Sequence, residues 1–151
     1  MKNSHNDYKN ENWFFDGLKE GCEIFEYDVM SDRKGRLYIA HNYKLPFFRN
    51  YNGIERLKNI SYIPICKYIY IEIKTGNKKS FSYIFSLLKT LSINCTVILG
   101  GDDYNWFSKM FQKRRELRDE LYECLKDKID IMTIEDAKEK LKIENIDAWE
   151  Y

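Results

Sequence analysis

Long apolar runs, an excess of either charge, paired cysteines and histidine are all scarce in this sequence, and each shortage excludes something. No hydrophobic stretch approaches the ~20 residues a helix needs to cross a bilayer, so no membrane span is expected. The opening MKNSHNDYKN has no apolar core of the kind a secretory signal requires. A formal net charge of +1 provides no broad field for nucleic acid or a membrane surface, so no nucleic-acid partner is expected. Cys22, Cys66, Cys95 and Cys124 are widely separated and form no CxxC pair, which argues against zinc. Three of them sit in apolar segments and read as reduced core thiols of a cytoplasmic protein. There is no internal repeat and no linker, so residues 1–151 are expected to form one domain. What is plentiful is core material: 44% hydrophobic residues, with 12 Tyr and 9 Phe, describe a globular chain rather than a disordered one.

The chain is organised around Cys22–Asn42, CEIFEYDVMSDRKGRLYIAHN. Ile24, Phe25, Tyr27 and Val29 form a β-prone background in which Glu26 and Asp28 are embedded. Residues two apart on a strand share a face, so both carboxylates should project together. The run from Ser31 to Arg36 reads as a hairpin turn, with Gly35 supplying a positive φ. A returning strand then carries His41 near its end. Two same-face carboxylates near a histidine suggest an oxygen-ligand metal site with an acid or base beside it.

Around this hairpin the pattern alternates. Asn10–Glu20 predicts a short helix with Trp13, Phe14 and Leu18 as its buried stripe, stopped by Gly21. Lys44–Asn52 reads as a loop, Gly53–Ile60 as a helical turn, and Pro64 as a break. Lys67–Thr75 is the best strand, placing Glu72 and Lys74 on one face and Ile71 and Ile73 on the other. Helix over 78–92, strand over 95–99, a long charged helix over 104–128, strand over 129–133 and a short helix over 135–142 complete the pattern, with NIDAWEY as a possible last strand. Strand–helix alternation of this kind predicts a mostly parallel α/β core. Active groups in such folds gather at the carboxyl ends of the strands, and Glu26/Asp28, His41 and Glu72/Lys74 are expected in the later halves of theirs. Glu and Lys on an inner face must either balance one another in a network or hold a ligand. In the second case Lys74 would neutralise an anionic substrate or adjust the carboxylates. Trp149, Tyr8 and Tyr43 are candidate pocket walls.

Four segments in order, His5-Asn6-Asp7-Tyr8, GCEIFEYDV, AHN at its hairpin's end and YIEIK, resemble the PLC-like phosphodiesterase superfamily. Within it the chain is most similar to glycerophosphodiester phosphodiesterases and their relatives that begin with an HNDY signature. The resemblance covers roughly residues 4 to 75, with TVILGG similar to the family's fourth strand. It implies a TIM-type (β/α) barrel, here shortened or incomplete, because an eight-stranded barrel takes ~250 residues and only Met1 to Ser4 precede the first histidine. An unclosed sheet leaves edges to be covered, which makes a homodimer an expectation. The resemblance further implies that Glu26, Asp28 and Glu72 hold one divalent cation, Mg²⁺ or Ca²⁺, and that His5 and His41 act as acid and base or nucleophile. Lys74, Asn6 and Trp149 would contact a small glycerophosphodiester- or sugar-phosphodiester-like substrate. The alternatives are a catalytically silent module that binds a phosphate ligand in the same site, and a purely structural α/β scaffold.

Overall fold

Alternating β-branched and aromatic residues build the centre of the molecule. In the computed structural model, which describes residues 1, 3–5, 13–39, 66–101 and 109–142, β1 (Asn3–His5) and helix α1 (Trp13–Lys19) lead into β2 (Ile24–Ser31). There follow β3 (Leu37–Ile39), β4 (Tyr68–Ile73), α2 (Phe81–Leu91), β5 (Thr96–Gly101), α3 (Lys109–Leu125), β6 (Ile131–Thr133) and α4 (Ile134–Lys140). The strands join in the order β1-β2-β4-β5-β6, every neighbouring pair parallel. β3 alone is antiparallel, pairing with β2 over Val29–Ser31, beyond the stretch that pairs with β1.

Parallel neighbours that follow chain order without a reversal are the winding of a β/α barrel rather than of a doubly wound sheet. The fold is therefore α/β with a mostly parallel sheet, compatible with part of such a barrel. β1 is brief, and His5 is its last residue. The hairpin, the long helix and the strand and helix that follow it lie where periodicity placed them, with boundaries shifted by a few residues. His41, Asn6, Trp149, Tyr8, Tyr43, the loop over 44–52, the turn over 53–60, Pro64 and the tail after Lys142 lie outside the described residues.

One sheet face is mainly apolar. Phe25, Tyr27 and Val29 of β2, Ile69, Ile71 and Ile73 of β4, and Val97 and Leu99 of β5 meet Ile84, Leu88 and Leu91 of α2 and Leu117, Leu121 and Leu125 of α3. Each fully buried Leu or Ile contributes ~1.5–3 kcal/mol, so this layer is the main source of stability. The opposite face is mixed. Its lower half is sealed by α4, whose Ile134 and Ala137 cluster with Ile24, Tyr70 and Ile98; its upper half carries the acids.

The first helix departs from its expected stripe. Leu18 is 44% exposed, while Gly17 is buried. The seven-residue helix turns its small Gly17 inward and carries Phe15 and Leu18, three apart, outward. Trp13 and Phe14 lie outside the described side chains.

The β2–β3 turn is held by Asp32. Its carboxylate accepts from Lys34 N and Arg36 N at 2.9 Å, from Arg36 Nε at 2.6 Å and from the Tyr38 hydroxyl at 3.2 Å. These charged hydrogen bonds hold Asp32 below the usual carboxylate range against its partial burial. Gly35 sits in the turn at φ +84°, where a Cβ would collide with the Lys79 carbonyl and lie 2.8 Å from Ser80 N. Gly21, at φ +81°, has open space around it. Gly21→Ala should therefore cost only its backbone strain, about 1 kcal/mol, and Gly35→Ala about 3 kcal/mol. Urea midpoints at unchanged m-value measure both; equal losses would mean that the Lys79 backbone yields freely.

Candidate metal centre

Register brings the acids together. Parallel pairing sets Glu26 beside Tyr70, and Asp28 beside Glu72 and Gly100, on successive rungs of β2, β4 and β5. Strand alternation then puts Glu26, Asp28, Tyr70 and Glu72 on the face that bears Ile24 and Ile98. Glu26, Asp28 and Glu72 each bring one carboxylate oxygen within 4.8 Å of the others, and all three are buried. Glu26 Oε1 and Asp28 Oδ1 are shut off from solvent. Asp28 and Glu72 stand near the carboxyl end of their shared ladder. Glu26 lies deeper than expected: β2 runs on to Ser31, so its third residue falls in the first half of the strand.

Lys74 follows β4 directly. Its backbone N–H donates to Val29 O at 2.8 Å, which extends the ladder by one bond. Its Nζ lies 3.2 Å from Glu72 Oε1, with the Lys74 side chain 3% exposed. The first histidine of the expected pair is placed by backbone alone: His5 on β1 is the register partner of Glu26.

Crowding of like charges sets the protonation of the cluster. Burial, then the Glu72 and Asp28 carboxylates and a hydrogen bond shared with Glu72, push Glu26 up to about 11; Lys74 opposes them. Burial also raises Glu72, to about 7, with Lys74 pulling it down and Asp28 pushing it up. Without a cation the cluster therefore holds protons at neutral pH.

The donor set suits a hard cation. Among the described residues it consists of three carboxylate oxygens, the chemistry preferred by Mg²⁺ and Ca²⁺. Ligand atoms on opposite sides of one such ion stand roughly 4–5 Å apart, and the three carboxylate oxygens all lie within 4.8 Å of one another. Lys74 lowers both glutamates and so balances part of the charge of the three acids.

Two residues of the site escaped the sequence reading. Tyr70, 3% exposed, lies so close over the next strand that a Cβ at Gly100 would collide with its hydroxyl and lie 2.9 Å from its Cζ. The phenol thus fills the room that Gly100 leaves beside Glu72, and forms an aromatic wall. Its spacing two before Glu72 was a usable signal, since it fixes a common face; the demand on Gly100 shows only once β4 and β5 are aligned.

No protein-family model, curated protein or solved structure matches the chain. The chemistry of the site itself therefore carries the functional reading.

The raised glutamates fix a sign. A carboxyl raised on folding binds more protons in the native state, so its stabilising contribution is complete below the unfolded pKa near 4.5 and fades as pH rises. Both glutamates lower stability between about pH 4.5 and 7, and Glu26 continues to do so toward about pH 11. The metal-free melting temperature should therefore fall from about pH 5 to about pH 8, and Mg²⁺ or Ca²⁺ should raise it more at the higher pH, because the ion displaces protons. Glu26→Gln should remain folded, flatten the alkaline part of this decline and lose the response to the ion. An unchanged response to EDTA and Mg²⁺ in that variant would contradict the assignment.

Proposed function

We propose that the chain is a divalent-metal-dependent phosphodiesterase that cleaves a small glycerophosphodiester- or sugar-phosphodiester-like substrate. One observation carries this reading: three buried carboxylates from two adjacent parallel strands approach within 4.8 Å of one another, beside a buried lysine. The resemblance of the HNDY, Glu-x-Asp and Glu-x-Lys segments to PLC-like phosphodiesterases supports it.

In this proposal Glu26, Asp28 and Glu72 hold one Mg²⁺ or Ca²⁺. A bound cation there supplies polarisation of the phosphoryl oxygens and stabilises charge that develops on them. Lys74 keeps Glu72 available as an anion and adds positive charge facing a phosphate. His5 removes a proton from the attacking oxygen, or itself attacks, and His41 protonates the departing alkoxide; the two roles are interchangeable. An imidazole suits both tasks because its pKa lies near the working pH. Where the substrate carries a hydroxyl beside its phosphate, that hydroxyl attacks first and a cyclic product leaves. Asn6 and Trp149 complete the substrate contacts. The proposal extends to a cytoplasmic setting and to a second copy covering an open sheet edge. Among the described residues no helix is long and apolar enough to cross a membrane.

Hydrolysis of bis(p-nitrophenyl) phosphate tests the reading. Turnover should require Mg²⁺ or Ca²⁺ and stop with EDTA. His5→Ala and His41→Ala should each lower kcat by about 10²–10⁴-fold while leaving the ion-induced rise in melting temperature intact. Full activity in either variant would remove that histidine from the mechanism. Phosphate binding without turnover in the parent chain would identify a silent binding module instead.

A further inference from the structure

The amino ends of the central strands hold a second cluster, distinct from the acids. Cys22 precedes β2, Cys66 precedes β4 and Cys95 precedes β5; all three are buried, whereas Cys124 on α3 is exposed. Cys66 and Cys95 are in contact, with their sulfurs 3.2 Å apart. The residues that follow them are joined by backbone, since Thr96 N donates to Lys67 O at 3.1 Å. By the register of Tyr68 with Thr96, Cys95 falls one residue from the position opposite Cys66, a diagonal separation of about 6 Å, inside the range that a disulfide tolerates, and closing the contact to a bond of ~2.05 Å asks the sulfurs to move by only about 1 Å.

We propose that Cys66 and Cys95 form a redox-active dithiol, which a small-molecule disulfide converts to an intrachain disulfide across the amino ends of β4 and β5. The two sulfurs are not equivalent. The hydrogen bond from Cys66 and the backbone around it bring the Cys95 thiol down to about 7, whereas the same contact and burial push Cys66 up. Cys95 is accordingly the attacking group. Its thiolate displaces one thiolate from the incoming disulfide and forms a mixed disulfide. Cys66 then loses its proton, attacks the Cys95 sulfur and expels the second thiolate. Two protein thiols are oxidised and one external disulfide is reduced to two thiols, so atoms and electrons balance. The residues are 8% and 6% exposed, so reaction with the external disulfide proceeds through local opening of the strand ends. The crosslink would enclose β4 and α2 in a covalent loop anchored at the sheet end remote from Glu72.

The test uses the full chain, folded, with oxidised glutathione as the oxidant. After acid quenching and alkylation, peptide mass mapping should find Cys66 joined to Cys95 with the loss of two hydrogens, reversed by dithiothreitol, at an unchanged circular dichroism spectrum. Cys66→Ser should trap glutathione on Cys95, while Cys95→Ser should leave Cys66 a free thiol. The wild-type map decides the question even if a serine variant fails to fold. Free Cys66 and Cys95 alongside fully modified Cys124, separate glutathione adducts on both, or a crosslink from Cys22 would each overturn the proposal.

Discussion

The structure depends on one costly juxtaposition: Asp28 and Glu72 side by side on neighbouring strands, with Glu26 one rung below. Removing a carboxylate from water costs several kcal/mol even after relaxation, and three in one place repel one another as well. Two local devices reduce that penalty in the metal-free protein. Glu26 keeps its proton, and Lys74 holds Glu72 at 3.2 Å. Neither device gives a purely structural reason for assembling the acids, because apolar residues of similar size would fill the same face at no such penalty.

The opposite face makes this arrangement affordable. The strands that carry the acids on one side carry Phe25, Tyr27, Val29, Ile69, Ile71 and Ile73 on the other, against α2 and α3. Because successive side chains alternate, a strand cannot slip by one residue without exchanging the two faces. The apolar layer therefore stabilises the sheet and also enforces the register that brings Asp28 opposite Glu72. α4 works from the acid side, where Ile134 and Ala137 close the lower half of the face and leave the upper half to the site. An ion pair from Arg118 on α3 to Glu135 at 2.8 Å ties the start of α4 to the helices across the sheet.

Much of this was legible in the residues. Period-two alternation placed Glu26 with Asp28 and Glu72 with Lys74, and the Ser31–Arg36 composition placed the turn, because both signals are local. What could not be read depends on contacts between distant segments. The helical period of α1 allowed Leu18 to face inward, but the helix packs with Gly17 buried and Leu18 outward. The depth of Glu26 hinged on where β2 ends, and pairing with β3 carries it to Ser31. The fit of Tyr70 over Gly100, the contact of Cys66 with Cys95 and the placement of α4 on the acid face all link elements whose spacing in the chain carries no trace of adjacency.

Chain length, which at first argues against a barrel-type site, weighs less once the source of the ligands is clear. All three acids come from β2 and β4, and each of these strands is paired along both edges, β2 by β1 and β3 on one side and β4 on the other, β4 by β2 and β5. An interior strand is held by hydrogen bonds on both sides whether or not the sheet closes, so positioning the three carboxylates requires no further strands. The mutual placement of Glu26, Asp28 and Glu72 is thus set by β2 and β4 and the strands described beside them, and it stands independently of whether the sheet closes.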